Sequence, residues 1–495
     1  MMRMRILPAW LVCIILCGCR TAATRYSTDL DRSPSDVADV ASTRRIPGSS
    51  DAENLDSSVQ AVSHEAESIE PVQPRAIAAP DLSLSTSIAL SLSQNPDLIA
   101  ARQSEHVGAA ALGVAQTYPF NPFIQVQATP YQDARFGGSG TTYHYILLMQ
   151  TIQLAHQQQF REESGAATLN STRWTIHQAE LLNVAQTERL YFSVLYLRGL
   201  WELAEANNEN NQQLLRVLEK QLDAGQATAA DVAMVRLDAR STQQQVRLAR
   251  ANYESALRDF KRQLGLTSDD PATVEGDLQD FAWRSPGRVL LEPKSVESQI
   301  EFESSTEQEK YLVATRANSR PDVMAAHSDI DVARANLCLA TAAKTPDLQI
   351  GPYYQRTLDG TSFLGFRAQM DLPVVNTGRP LEQQRMAELT QRLTVWQQTS
   401  RRAELEAQAA WERYKLAVAA ISEDVESRGE DVPRELQQLE QQFVAGEVDI
   451  LRVIQARTSI LQNRRLHLDL LNELAQAAAN LTAATGMPVE ELLQQ

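Results

Sequence analysis

Apolar residues recur at intervals of seven along two stretches of this chain, and the two stretches are 221 residues apart. Val232 and Ala239 begin this pattern in the first stretch, and Val453 and Ile460 begin it in the second. A seven-residue repeat predicts close-packed helices that wind around each other with a left-handed supercoil. The same spacing also allows an ordinary antiparallel helical bundle, so both arrangements stay open at this point.

A longer helical stretch precedes each of these, from Phe160 to Asp223 and from Pro380 to Val444. The first spans roughly 95 Å if it is continuous, because an α-helix rises about 1.5 Å per residue. Pro433 interrupts the second, since proline removes a helix hydrogen bond and clashes with the preceding turn. Gly225 and Gly446 follow the two stretches, and glycine commonly ends a helix in the left-handed conformation.

Two strand-like runs precede each long helix, and each pair is joined by glycine-containing residues typical of a hairpin loop. Residues 137–140 provide this loop in the first pair, and Asp359-Gly360 does so in the second. A further helix comes before each pair and stops near a proline. We expect these helices at Leu84 to Thr117 and Ala317 to Lys344, and strands at Phe123 to Thr129, Tyr143 to Leu154, Leu348 to Arg356 and Phe363 to Leu372.

This order of elements occurs twice, which predicts one domain built from two similar halves. Asn95-Pro96-Asp97-Leu98 returns 225 residues later as Arg320-Pro321-Asp322-Val323. The period is far longer than that of a short solenoid repeat. We expect two repeats at residues 81–266 and 317–488, with an irregular equatorial connection at residues 267–316.

The N-terminus has the features of a secretory signal, with Arg3 and Arg5 before the short apolar run Ile6 to Leu16. Leu16-Cys17-Gly18-Cys19 resembles the bacterial lipoprotein cleavage box, and this resemblance implies a signal peptide at residues 1–18 and acylation of Cys19. An ordinary signal peptide is the alternative. Arg20, in place of aspartate, indicates sorting to the outer membrane under the same resemblance. Residues 19–80 are rich in Ser, Asp, Glu, Ala and Pro, which is typical of a flexible tether.

Composition adds to this prediction of a mainly α-helical fold with a small β part. The net charge of −16 disfavours a nucleic-acid partner.

The histidines lack the spacing of a metal site, so we expect no metal and no cofactor. Cys338 is left as a lone thiol in an Ala-rich run and is predicted to be a small buried residue. No nucleophile elbow, Walker loop or dinucleotide fingerprint is present, so no catalytic residue is proposed and the chain is not predicted to be an enzyme.

Several short motifs resemble those of one known family, the TolC-like outer-membrane efflux proteins. The resemblance covers roughly residues 82–488 and depends on all the motifs occurring in order and twice, because each motif alone is weak. They are Ile88-Ala89-Leu90, Ala224-Gly225-Gln226-Ala227-Thr228, Ala445-Gly446-Glu447-Val448 and Met370-Asp371-Leu372-Pro373-Val374.

The resemblance implies a homotrimer in which each chain gives two β-hairpins, hence four strands, to a shared 12-stranded β-barrel in outer-membrane lipid. The long antiparallel coiled-coil helices would form an α-barrel through the periplasm. The implied function is a passive, lipid-anchored conduit from periplasm to exterior, joined to a periplasmic adaptor protein and an inner-membrane pump. The cargo is left open.

The same resemblance implies a role for the helical turns. Gly225, Thr228, Gly446 and Glu447 would lie at the periplasmic tip and dock the adaptor. Asp231, Arg452 and Gln455 would lie at the entrance, where acidic residues are usual. Because Arg452 replaces an acid, we hypothesise that Asp231 and Arg452 pair across neighbouring helices and close the entrance; the alternative is that both are solvated surface charges.

Two other functions remain open from the sequence. One is a coiled-coil structural lipoprotein scaffold with its hairpins packed in a soluble cap, and the other is the outer-membrane duct of a type I protein secretion system. A barrel requires an apolar outward face on the hairpins. This apolar face would then be flanked by the aromatic residues Tyr131, Phe136, Tyr143, Tyr145 and Phe363. The polar residues that would point inward are Gln125, Gln127, Arg356 and Arg367.

Overall fold

A computed structural model of the chain describes residues 82–129, 143–225, 227–286, 305–427, 442 and 450–493. These residues form long helices and one small sheet, which confirms the predicted mainly α fold. The helices are α1 (Leu84–Gln94), α2 (Pro96–Gln116), α3 (Gln157–Asp223), α4 (Ala229–Gln263), α5 (Ser305–Asn318), α6 (Pro321–Ala342), α7 (Arg379–Ser427) and α8 (Ile450–Thr485). None of the described helices combines the length and the apolar composition that a membrane crossing requires.

The first predicted helix is two helices, so the expectation of one helix from Leu84 to Thr117 is wrong. Asn95 has extended backbone angles because a residue before proline is disfavoured in the helical region. Its side chain then caps α2, with Oδ1 accepting a 3.1 Å hydrogen bond from the Leu98 N–H. In the second repeat Arg320 holds the same place, and its buried guanidinium pairs with Asp322 and Glu406 at 2.7 and 2.8 Å.

The connection between the repeats is more regular than the sequence predicted. A 3-10 turn occupies Leu278–Asp280, and most of α5 lies inside the stretch expected to be irregular. Val313 and Ala317, four residues apart on α5, are buried against the cluster that contains Trp411 of α7. This apolar pair explains the helix, since residues four apart lie on the same helical face.

The sheet consists of the two predicted hairpins in the order β1-β2-β3-β4, and every pair is antiparallel. Its strands are β1 (Phe123–Thr129), β2 (Tyr143–Ile152), β3 (Leu348–Arg356) and β4 (Ser362–Met370). Gly360 turns the second hairpin with a φ of +88°, and the Asp359 carboxylate accepts hydrogen bonds from the Thr357 and Thr361 hydroxyls. The first hairpin loop at residues 137–140 lies outside the described residues.

Helices α3 and α4 form an antiparallel hairpin around Gly225. Leu214 and Leu218 of α3 pack on Val232 and Val235 of α4. The seven-residue pattern lies on this packed side, because Val232, Ala239 and the more distant Phe260 are buried at their intervals of seven. The prediction of close-packed antiparallel helices is thereby confirmed for the first repeat.

The two repeats interlock through α3. The first helix of the second repeat, α6, packs on α3, where the Ser171 hydroxyl lies 2.6 Å from an Asp329 carboxylate oxygen. Helix α8 packs on another side of α3, where the Tyr196 hydroxyl donates to Asp469 at 2.5 Å. Cys338 of α6 is half-buried with a free thiol, so its predicted full burial is wrong.

Several predicted features lie outside the described residues. These are the signal peptide 1–18, Cys19, the tether 19–80, the proline interruption at Pro433, and the second turn with Gly446 and Glu447.

Candidate conduit surfaces

The strand pairing sorts the side chains of the sheet into two faces, since successive residues of a strand point to opposite sides. Ile124 pairs with Leu148, which fixes the even-numbered residues of β1 and β2 on one face. Ile146 pairs with Tyr354 and Tyr354 with Leu364, which continues that face across β3 and β4. Ten large apolar side chains of this apolar face are exposed: Ile124, Val126, Ile146, Leu148, Ile152, Ile350, Tyr354, Leu364, Phe366 and Met370.

The opposite face, the polar face, consists of the odd-numbered residues of the four strands. On β2 and β3 it is less exposed than the apolar face. A protein that buried its apolar residues in a soluble core would show a less exposed apolar face and a more exposed polar face, because exposed apolar area costs free energy in water. Its polar members are Gln125, Gln127, Thr129, Tyr143, Tyr145, Thr151, Gln349, Tyr353, Gln355, Arg367 and Gln369.

Three of the four residues expected to point inward share the polar face, and one does not. Gln125, Gln127 and Arg367 lie on it, as predicted. Arg356 lies on the apolar face, so its predicted inward direction is wrong. The pairing places it beside His144 at the loop end of the strands, where charged groups can leave the apolar band for water.

The aromatic residues expected outside the barrel are also placed differently. Tyr143, Tyr145 and Phe363 all lie on the polar face, which corrects the prediction that they flank the apolar band. The prediction followed residue type and ignored the alternation along each strand. Tyr354 and Phe366 are the aromatic residues of the apolar face, whereas Tyr131 and Phe136 lie outside the described residues.

Strands β1 and β4 are the two edges of the sheet. In the described part of the chain, β1 pairs only with β2 and β4 only with β3, so each leaves one row of backbone groups without a ladder partner. Edge strands of this length are templates for pairing with another chain. The sheet is therefore open at both sides in a single copy.

The tip of the α3–α4 hairpin contains three of the predicted site residues. Gly225 has a φ of +74°, which favours glycine, and open space surrounds it. Thr228 caps α4: its Oγ1 accepts from the Asp231 N–H at 3.2 Å and donates to the Asp231 carboxylate at 2.6 Å. The same carboxylate accepts from the Thr228 N–H at 3.2 Å, which completes a capping box.

Within the described part of one chain, no ion pair joins Asp231 to Arg452. Within the described residues Asp231 is half-buried in its capping box, and the side chains of Arg452 and Gln455 on α8 are exposed. A pairing between copies is a different contact, and it stays a prediction. Gly446 and Glu447, the other predicted tip residues, lie outside the described part of the chain.

Residues 312–487, which hold α6, the second hairpin, α7 and all of α8, match the model of the outer membrane efflux protein family. The match lies in the second half of the chain. It is 23% identical over 343 residues to the pyoverdine export outer membrane protein OpmQ of Pseudomonas putida and 22% identical over 332 residues to OpmQ of Pseudomonas aeruginosa. The first match covers 66% of each chain and the second 65%, so the aligned region spans just under two thirds of these relatives.

The fold is also similar to a solved structure. CusC, whose crystal structures concern conformational changes on folding and transmembrane channel formation, aligns with this chain with a TM-score of 0.65 at 18% identity. The alignment covers 81% of this chain and 91% of CusC. At this identity the likeness concerns the fold alone, and it agrees with the long helices and the small four-stranded sheet.

One buried acid escaped the sequence-based prediction. Glu188 of α3 is fully buried, and neither carboxylate oxygen has a hydrogen-bond partner. Burial raises the pKa of Glu188 to about 8, although Thr482 and the Val489 N–H nearby favour the charged form. Nothing in the local sequence distinguishes it from the exposed glutamates of α3, because its burial arises from α8 and the chain end.

Proposed function

We propose that this chain is the outer-membrane channel component of a tripartite efflux system, acting as a passive trimeric conduit from periplasm to exterior. One observation carries the proposal: a four-stranded sheet exposes a continuous apolar face, presents a polar face on its other side, and is open at both edges.

Lipid fits the apolar face, and sister copies fit the edges. Hydrocarbon cannot hydrogen-bond unpaired backbone groups, so a sheet in lipid must close on itself. Four strands are too few, whereas three copies supply twelve, which lies in the range of outer-membrane barrels. In this arrangement β4 of one copy pairs with β1 of the next, and the polar face lines the water-filled lumen.

The comparisons support the direction of transport. The two Pseudomonas relatives are named for export across the outer membrane, and the family model describes efflux. We extend export to this chain and leave its cargo open.

The helical part supports the remaining assignments. The α3–α4 hairpin gives a long, capped projection away from the sheet, and we propose that its tip at Gly225 and Thr228, with Gly446 and Glu447, docks a periplasmic adaptor linked to an inner-membrane pump. We also propose a lipid anchor at Cys19.

The entrance assignment has its own test. If Asp231 and Arg452 pair between copies, Arg452→Glu brings two negative charges together and opens the entrance. We expect a larger channel conductance in planar bilayers than for the wild type, with Arg464→Glu, a charge reversal farther along α8, as the control. Equal conductance of Arg452→Glu and wild type would leave both charges as solvated surface groups.

The conduit itself is tested by reconstitution. Protein extracted from outer membranes in detergent should form discrete, long-lived channels in planar lipid bilayers. A soluble protein recovered from the periplasm without channel activity would instead support the structural scaffold.

A further inference from the structure

Arg367 is the single charged side chain on the described part of the polar face. The other residues of that face, on all four strands, are glutamine, threonine, glycine, aromatic or aliphatic. This stands out in a chain with a net charge of −16. A lone cation in the wall of a lumen attracts anions, since field lines concentrate between low-dielectric walls.

The guanidinium of Arg367 is held by neutral groups. Its Nη1 donates to the Tyr145 hydroxyl at 3.4 Å, and its Nη2 donates to Gln369 Oε1 at 3.1 Å. Among the described residues no carboxylate lies within ion-pair distance of it. Its charge is therefore not neutralised by any residue in the described part of the chain.

Gly365 leaves space for the Tyr353 ring of this cluster. Arg367 lies opposite Gly351 and Tyr353 lies opposite Gly365, so each large side chain faces a position without one. A Cβ on Gly365 would come within 2.8 Å of the Tyr353 ring, which shows how closely that ring covers the strand. The Tyr353 and Tyr145 rings lie 6.0 Å apart between centroids, at an interplanar angle of 32°.

A neighbouring copy offers no described acid either. In the proposed trimer β4 meets β1 of the next copy, whose polar face carries Phe123, Gln125, Gln127 and Thr129. The guanidinium would remain unneutralised in the lumen of the assembled barrel, and it would occur three times around the wall.

We propose that Arg367, Tyr145 and Tyr353 form a lumenal subsite for organic anions that carry an aromatic ring. A guanidinium presents a planar fork of donors that matches carboxylate, phosphate and sulfonate groups. The tyrosine rings provide a surface on which an aromatic solute can stack. This inference rests on the proposed function, because it requires that the polar face line a lumen.

The charge is tested by ion selectivity. Reversal potentials in a KCl gradient should show a chloride-to-potassium permeability ratio that falls roughly twofold or more in Arg367→Gln, as expected for removal of a nearby, partly screened charge. Arg367→Lys should keep the ratio, and so should Arg356→Gln on the apolar face. Conducting Arg367→Gln channels with the wild-type ratio would overturn the inference, whereas absence of channels in the wild type would overturn the proposed function.

The aromatic part is tested by block of the KCl current. Naphthalenesulfonate should block wild-type channels at several-fold lower concentration than methanesulfonate, and Tyr353→Leu should remove this difference. Gly365→Ala, which displaces the Tyr353 ring, should weaken it as well. Equal block by both sulfonates in the wild type would overturn the role of the rings.

Discussion

At the residue scale, Glu188 is a buried acid placed where two distant parts of the chain meet. Thr482 of α8 and Val489 after it lie beside its carboxyl group, with Glu490 and Arg189 as the nearest charges. Burial favours the neutral acid, because an unpaired carboxylate is costly to remove from water. The packing of α3 on the C-terminal segment therefore depends on the protonation of this group.

The pKa of Glu188 predicts how stability changes with pH. The folded value of about 8 lies above the ordinary 4.5, so this stabilising contribution is complete below pH 4.5 and is lost as the pH rises to 8. Glu188→Gln should remove that loss and raise the free energy of unfolding at pH 8 by on the order of 3 kcal/mol. Thermal unfolding in detergent at pH 5 and pH 8 measures this.

The exposed Glu209 of α3 provides the matched control, and Glu209→Gln should leave the pH dependence unchanged. If wild type and Glu188→Gln lose stability equally between pH 5 and pH 8, Glu188 is not the group responsible.

Thr228 gives a second prediction at this scale. Thr228→Ala removes the hydroxyl of the capping box, and loss of such a cap costs about 1 kcal/mol. Hydrogen exchange of the first-turn amides of α4 should then be roughly fivefold faster, by the usual conversion of free energy to rate. Ser241→Ala, at an exposed position in the middle of α4, should leave these amides unaffected. Unchanged exchange in Thr228→Ala would show that the tip does not need the cap.

At the scale of elements, the two faces of the sheet require side chains of opposite polarity at neighbouring positions of a strand. Val126, which is 63% exposed on the apolar face, would contact lipid, and Gln127 would face the lumen. A lysine on the lipid face costs about 2–4 kcal/mol near the bilayer midplane. Val126→Lys should therefore reduce the amount of assembled protein in outer membranes, while Gln127→Lys should assemble normally. Immunoblots of membrane fractions measure both, and equal assembly of the two variants would contradict the assignment of the faces.

Many of the helix boundaries, turns and caps could be predicted from the sequence. The hairpin positions, Gly225 and the capping residue Thr228 follow from local turn and cap chemistry, which needs no tertiary contact. The break at Asn95-Pro96 also has a local cause, because a residue before proline is disfavoured in the helical region. The apolar period continues on both sides of the break, so it indicates one helix where there are two. The helix α5 has a weak period and is held by Trp411 and its neighbours, so its sequence alone does not show it.

The candidate surfaces were predicted less completely. The alternation of Gln125 and Gln127 with Ile124 and Val126 indicates the faces of β1. The faces of Tyr143 and Tyr145 follow from the alternation along β2, which residue type alone overlooked. The joining of the two hairpins depends instead on the pairing of β2 with β3, about 200 residues apart in the chain. The neutral surroundings of Arg367 also depend on that pairing, because Tyr145 belongs to β2.

At the scale of the whole molecule, the two repeats form one interlocked body. Helix α6 of the second repeat packs on α3 of the first, and the β2–β3 pairing joins the two hairpins into one sheet. Among the residues that the structure describes, the apolar face and the edges β1 and β4 have no partner. In the proposed trimer, lipid would cover the apolar face and two sister copies would pair with the edges.

The most direct test of this account is the mass of the protein extracted from outer membranes in mild detergent, measured by light scattering with the detergent contribution subtracted. The account predicts three copies of the 55.0 kDa chain, less any signal peptide removed, in an assembly that dissociates to single chains on heating. A stable single chain, recovered in solution from the periplasm with its sheet intact, would contradict it.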